Sequence, residues 1–314
     1  MTMSSVHVTR PGLLTTVQDL GRFGWQAYGV STAGPMDPRA HRLANALVGN
    51  AADAATLEIT LVGPELTFED DRLIAVCGAD FVVTVGDHLA ASGCAFRVPR
   101  GSPVRFGARK HGSRAYLAVS GGIDVMPLFG SRATHLPSRL GGHAGRALRA
   151  GDTLRLGPPA PPPATRRPAV SLSMPRGGHA TLHVLPSHHA ERFGVDAIER
   201  LQSARYTVSQ DSDRMGFRLE GPSIRTRVAG ELLSEPVTVG AVQVPHDGHP
   251  ILLMPDRQTS GGYPTLGTVI SADLGLAGQL GPGDTITFAA CDAPQALAAL
   301  VAQERALLGV TATR

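Results

Sequence analysis

Lysine is almost missing from this 314-residue sequence, since Lys110 is the only basic residue of 29 that is not arginine. A phosphate loop of the form G-x-x-x-x-G-K-[ST] needs a lysine followed by Ser or Thr, and His111 follows Lys110, so that route to a nucleotide is closed. Cysteine is scarce as well. Cys77, Cys94 and Cys291 stand alone without C-x-x-C spacing, which suits a reducing compartment and excludes a disulfide scaffold. No run approaches the ~18 apolar residues of a membrane span, and "MTMSSVHVTRPG" has neither the basic start nor the apolar block of a signal peptide. A soluble cytoplasmic protein without membrane contact is expected. A net charge of +3 spread without a basic run argues against nucleic acid as a partner. No G-x-G-x-x-G, G-x-S-x-G or H-E-x-x-H occurs, which removes the common dinucleotide, esterase and zincin readings.

What the chain does have is 37 glycines and 24 prolines beside only 18% charged residues, a balance that favours many turns and short strands. Its length suits two domains. The compositional break is "GPPAPPPATRRPAVSLSMPRGG" at 157–178, with seven prolines. We therefore expect a first β-rich domain over 1–157, a Pro-rich linker over 158–178 and a second domain over 179–314 ending in a helix. Each half closes on a similar phrase, "LRAGDTLRLG" and "LGPGDTITFA", which reads as a weak internal repeat.

Alternation predicts strands at Ser5–Thr9, Thr56–Leu61, Arg72–Cys77, Phe81–Val85, Val104–Gly107 and Ala115–Val119 in the first half. In the second half it predicts Thr181–Leu185, Tyr206–Ser209, Arg218–Glu220, Ala241–Val244, Ile251–Met254 and Thr285–Phe288. One helix stands out: Asp37 is a ready N-cap, Pro38 fits the first turn, and Ala40, Leu43, Ala44, Leu47 and Val48 make one apolar stripe. Two further helices are expected near Ala190–Ser203 and after Asp292, both peripheral.

Three polar constellations invite chemistry. In the first, Gln18, Asp19, Arg22, Trp25 and Tyr28 lie among glycines ahead of the Asp37-capped helix, whose start is a natural anion site in part occupied by Asp37 itself. The second, "SQDSDRMGFRLEG", offers Arg214 either as a fork for a carboxylate or phosphate or as the partner of an aspartate within the chain. The third, "DRQTSGGYP", follows the apolar "ILLM". A turn there needs Gly and an Asp or Ser, but not Arg257, Gln258 and Thr259, and Gly261 and Gly262 let the backbone approach a ligand. His188 and His189 are adjacent and should diverge on a regular element, so no metal site is expected.

At these constellations the chain resembles the family of C-type 5-oxoprolinase subunits, also described as biotin-dependent carboxyltransferase or allophanate hydrolase subunit 2. The resemblance rests on "GLLTTVQDLGRFGWQAYGVSTAGPMDP", "ANALVGN", "RAYLAVSGGIDV", "GSRATHLPSRLGGHAGRALRAGD", "SDRMGFRLEGP" and "DRQTSGGYPTLGTVISADL" in that order. It implies a mainly β chain of two cyclophilin-like open β-barrel domains with a few peripheral helices. It also implies a subunit of an ATP-dependent 5-oxoprolinase, a lactam hydrolase active in complex with A-type and cyclophilin-like B-type subunits, that opens 5-oxoproline to L-glutamate. The family also holds carboxyltransferase parts of urea-type biotin-dependent systems and a non-enzymatic branch that regulates through a kinase-inhibitor-like B partner. Lys110 lies in "ARKHG" and not in a biotin-attachment phrase, so a carboxyltransferase of this kind needs biotin on a separate carrier. His246 and His249 depart from the Pro and Gln expected of the family.

The implied chemistry is phosphorylation of the lactam oxygen by ATP with Mg2+, with Arg214, Arg257 and Gln258 as catalytic candidates. Thr259, Gly261, Gly262 and Tyr263 are then candidates for the amide substrate, with Asp37 and Glu235 as partners of its ring N–H or of a metal-bound water.

Overall fold

The protein is described from a computed structural model over residues 4–159, 172–227 and 232–311. It divides into two compact units, and the division is not a single cut. Unit 1 takes the chain up to Arg22, Ala33–Ser173 and the stretch from Arg305 on, and unit 2 takes Phe23–Thr32 and Met174–Glu304. Residues 160–171, most of the expected Pro-rich linker, lie outside the described residues.

Unit 1 carries nine strands: β1 (Ser4–Arg10), β2 (Leu14–Gln18), β3 (Thr56–Thr60), β4 (Glu65–Phe68), β5 (Arg72–Val85), β6 (His88–Ala90), β7 (Ala95–Val98), β8 (Pro103–Val119) and β9 (Thr153–Leu156). They form one sheet in the order β2-β3-β8-β4-β1-β9, with β5 pairing β6, β7 and β8, that curls into half a barrel. Four of the expected strands fuse into two long ones, because β5 and β8 stay paired through register shifts around Gly78–Val83. A bulge absorbs a lapse in alternation without ending the ladder, which strand-by-strand reading does not foresee.

Helix α1 (Pro38–Leu47) starts as its sequence requires: the Asp37 carboxylate accepts from the backbone N–H groups of Arg39 and Ala40. Its stripe packs with Ala75, Cys77, Tyr116 and Ala118 of β5 and β8 and with Leu307 of the chain's last helix. Burial pushes the Cys77 thiol pKa well up, which leaves it an inert packing group. His41 is fully buried on the same helix, its Nδ1 2.9 Å from Thr56 Oγ1 and its Nε2 3.1 Å from the Ala52 carbonyl.

Desolvation brings the His41 pKa down from 6.5 to about 4. Between those values an unfolded chain binds a proton that the folded chain refuses, so stability rises with pH across that window. The loss on going from neutral pH to about pH 4 is of the order of 3 kcal/mol. Urea midpoints measured over that range should climb with pH, and His41→Gln should flatten the climb. An unchanged slope in His41→Gln would assign the acid sensitivity elsewhere. Asp152, held down at about 2 by the Arg146 guanidinium, contributes stability above pH 3.8 that is lost only below the His41 window.

Unit 2 holds β10 (His179–Pro186), β11 (Tyr206–Val208), β12 (Gly216–Glu220), β13 (Glu235–Pro236), β14 (Ala241–Gln243), β15 (Ile251–Leu253), β16 (Ser260–Gly261), β17 (Thr265–Val269) and β18 (Thr285–Ala290). Seven of them close a barrel in the order β10-β17-β14-β15-β12-β11-β18, while β13 and β16 pair as a separate ribbon. The mainly β chain of two barrel-like units is thus realised as one curled half-barrel and one closed barrel. Closure comes from β10, which pairs antiparallel with β17 on one side and parallel with β18 on the other. Ala180, Leu182 and Val184 alternate into the core, and Ala180 and Leu182 face Ile286 and Phe288 across the parallel pair. The helix expected over Ala190–Ser203 appears only as α2 (Ala197–Ser203), behind a 3-10 turn at His188–Arg192.

The repeated phrase "GDT" is also repeated in space. In unit 1 the Arg149 N–H donates to the Asp152 carboxylate, Gly151 N–H donates to the Val8 carbonyl and Val8 N–H to the Asp152 carbonyl. In unit 2 Gly281 donates to the Asp284 carboxylate, Gly283 to Val208 and Val208 to Asp284 in the same pattern. Gly151 and Gly283 have φ of 89° and 86°, a left-handed turn that glycine alone adopts at little cost.

Candidate functional site

The end of β15 feeds the loop at 256–263, and its first residue is fixed from below. Asp256 is fully buried and its two oxygens accept from Arg214 Nε and Nη2, each at 3.0 Å. Backbone bonds run beside the pair, from Asp256 N to Arg214 O at 2.9 Å and from Met254 N to Met215 O at 2.9 Å. A bidentate Arg–carboxylate pair fixes direction as well as distance. Arg214 therefore takes the partner-within-the-chain reading, with Asp256 rather than a neighbour in its own turn. Two of its nitrogens are thereby committed to the base of the loop.

Arg257 is different. Its side chain is turned inward and 9% exposed, and its guanidinium donates to the Val237 carbonyl at 3.2 Å and to Thr32 Oγ1 at 3.2 Å. Among the described residues no carboxylate pairs with it, and burial lowers its pKa from the ordinary arginine value without making it neutral at physiological pH. A buried cation answered by two neutral oxygens favours the arrival of an anion.

The rest of the loop opens outward. Gln258 and Ser260 are exposed and Thr259 is half-buried, its carbonyl accepting from Val237 N at 3.1 Å. Ser260 and Gly261 pair with Pro236 and Glu235 across the β13–β16 ribbon. A Cβ on Gly261 would stand 3.2 Å from Gln243 Nε2 and 3.3 Å from Gln258 Nε2, so glycine lets two amide side chains converge over the loop backbone. Gln243 Nε2 donates to the Tyr263 carbonyl at 3.3 Å, and the Tyr263 ring meets His246 edge-on at 6.1 Å. Tyr263 is 43% exposed, its apolar face available at the rim.

His188 and His189 overturn the expectation that adjacent histidines diverge. On their 3-10 turn the rings lie 4.0 Å apart, and both face Glu235, with His188 Nε2 at 3.7 Å and His189 Nδ1 at 3.5 Å from its carboxylate oxygens. Desolvation lowers the His189 pKa, which keeps that ring neutral at pH 7.

Unit 2 therefore brings together Arg257, Gln258, Thr259, Gly261, Gly262, Tyr263 and Glu235, with Arg214 beneath them. Asp37 belongs to unit 1 and is committed to its own helix: buried, it caps α1 and pairs with Arg39 Nε at 3.3 Å. Gln18 and Asp19 likewise serve unit 1, donating to Thr134 O and accepting from Ser131 Oγ, and so tie β2 to the segment at 131–134. Sequence reasoning missed Gln243, which looked like an ordinary strand residue, and the convergence of His188 and His189 on Glu235. The only available signal for the second was an "HH" pair after a strand.

The family description of the carboxyltransferase domain, subdomains A and B, matches residues 28–290. The chain is 38% identical over 305 residues to the C-type subunit of 5-oxoprolinase from Escherichia coli, covering 96% of each chain. It is 35% identical to the corresponding 5-oxoprolinase protein of Haemophilus influenzae, over 90% of this chain and 89% of that one. Among solved structures, the Kluyveromyces lactis urea carboxylase aligns with a TM-score of 0.90 at 31% identity, over 98% of this chain and 29% of the larger protein. No helix among the described residues is long and apolar enough to cross a membrane.

Proposed function

The chain belongs to the family of carboxyltransferase domains of subdomains A and B, and from that premise we propose that it is the C-type subunit of an ATP-dependent 5-oxoprolinase, opening 5-oxoproline to L-glutamate in complex with A- and B-type subunits. The observation that carries this reading is the match to the E. coli protein over 96% of each chain. The urea carboxylase match covers less than a third of that protein.

The lactam carbonyl is resonance-stabilised, so ring opening begins with transfer of the γ-phosphoryl group of ATP to its oxygen. Water then adds at the activated carbon, the C–N bond breaks, and glutamate, phosphate and ADP leave. Without a phosphate loop, the charge on the moving phosphoryl group or on the substrate carboxylate must be met by side chains and backbone N–H groups. Arg257 fits that task through its burial and its neutral partners. Gln258, Thr259 and Tyr263 orient the substrate over Gly261 and Gly262, and Mg2+ arrives with the nucleotide. Arg214 acts through Asp256 by holding the loop that carries Arg257.

The close likeness to urea carboxylase favours a second reading, a carboxyltransferase that receives CO2 from biotin on a separate carrier. Reconstitution separates the two. With A- and B-type subunits from the same source, glutamate release from 5-oxoproline should require ATP and should vanish when this chain is omitted. A complex that assembles and releases no glutamate overturns the oxoprolinase reading in favour of the carrier-dependent one.

A further inference from the structure

We propose that His188, His189 and Glu235 form a binding site for a divalent transition-metal ion of the zinc class. This inference does not depend on which reaction the complex performs. Their ligand atoms all lie within 4.8 Å of one another. Ions of this class bind nitrogen and carboxylate oxygen at ~2.0–2.2 Å, which sets tetrahedral ligands about 3.4 Å apart. Glu235 Oε2 stands 3.7 Å from His188 Nε2 and Oε1 3.5 Å from His189 Nδ1, so the two carboxylate contacts are near that spacing, and rotation of the exposed His188 ring draws the set, which spans up to 4.8 Å, onto one ion.

The protonation pattern points the same way. The backbone N–H of Thr265 donates to His189 Nδ1 at 3.3 Å, so that nitrogen carries a lone pair and no proton. Nδ1 and the Glu235 carboxylate oxygen, both acceptors, therefore stand 3.5 Å apart without a hydrogen between them. Such an arrangement is repulsive by itself and becomes attractive around a cation. His189 is 8% exposed and its burial favours the neutral imidazole, the form that ligates a metal. A metal on Nδ1 takes the place of the long Thr265 contact.

The donor set selects the ion. Two imidazoles and one carboxylate suit Zn2+, Co2+ or Ni2+, whereas Mg2+ prefers oxygen ligands and keeps its waters. Three protein ligands leave at least one position open for water or a carboxylate, the pattern of zinc sites that do chemistry. Glu235 is the register partner of Gly261, so the ion sits at the backbone of the candidate substrate loop.

The test uses the full-length chain, stripped of metal by a chelator. Titration with Co2+ should give a visible absorption band that saturates at one equivalent, and Zn2+ should abolish it while Mg2+ should not. Glu235→Gln and His188→Ala should each weaken Zn2+ at least ~100-fold by calorimetry, the upper end of what even outer-shell losses cost. His188 is 74% exposed, so its alanine variant tests the site without endangering the fold, and unchanged circular dichroism will verify that. His249→Ala, an exposed histidine away from the cluster in sequence, should bind as the parent does. Equal affinity in parent, His188→Ala and Glu235→Gln would mean an adventitious ion only, and absence of saturable binding would equally overturn the proposal.

Discussion

Arg257→Ala in the reconstituted complex is expected to lower kcat at least ~100-fold, about 2.7 kcal/mol of transition-state stabilisation, while the complex still assembles. A donor aimed at charge that develops in the transition state is worth ~3–4 kcal/mol, so the loss should sit mainly in kcat and less in KM. Arg257→Lys keeps the charge but loses the fork. It should recover part of the rate and not all of it, because Nε and Nη1 hold Val237 and Thr32 from one planar group that an ammonium cannot copy. Stability should change little in Arg257→Ala, since the partners it leaves are a carbonyl and a hydroxyl. A tenfold or smaller loss of turnover with normal assembly would remove Arg257 from the chemistry.

The second large effect concerns the pair below it. Arg214→Ala leaves the buried Asp256 carboxylate without its bidentate arginine, a change that typically costs ~3–5 kcal/mol. The chain's one tryptophan, Trp25, is grouped with unit 2, so its fluorescence during urea unfolding follows the unit in which the pair lies. The double variant Arg214→Met with Asp256→Leu should regain most of that stability, because removing both charges also removes the cost of burying them. Activity should stay low in the double variant, since the apolar pair no longer aims the loop. A single variant that loses less than about 1 kcal/mol would show that water reaches the pair and that the loop is fixed by its backbone bonds.

Much of the fold was readable because it is local. Asp37 and Pro38 announced the start of α1, and the stripe from Ala40 to Val48 announced its buried face, since capping and 3.6-residue periodicity involve only neighbours in sequence. The "GDT" phrases announced two equivalent turns for the same reason. The lengths of β5 and β8 were not readable, because their continuity rests on bulges that only the partner strand reveals. In the loop, the surplus of Arg257, Gln258 and Thr259 over what a turn needs was visible, but their division of labour was not. Asp256 looked like one more loop polar group and is instead the anchor of an arginine 42 positions earlier.

The sequence by itself determined a β-rich chain, its capped helix and its repeated turn, which follow from order and spacing along the backbone, while membership of the carboxyltransferase domain family rests on likeness to known proteins. Only the tertiary structure decided which cation is committed and which is answered by neutral oxygens, and that His188 and His189 meet Glu235. Pairs such as Arg214 with Asp256 or His189 with Glu235 join different strands and turns, and their proximity is set by how the barrel closes and the ribbon folds, which no local pattern encodes.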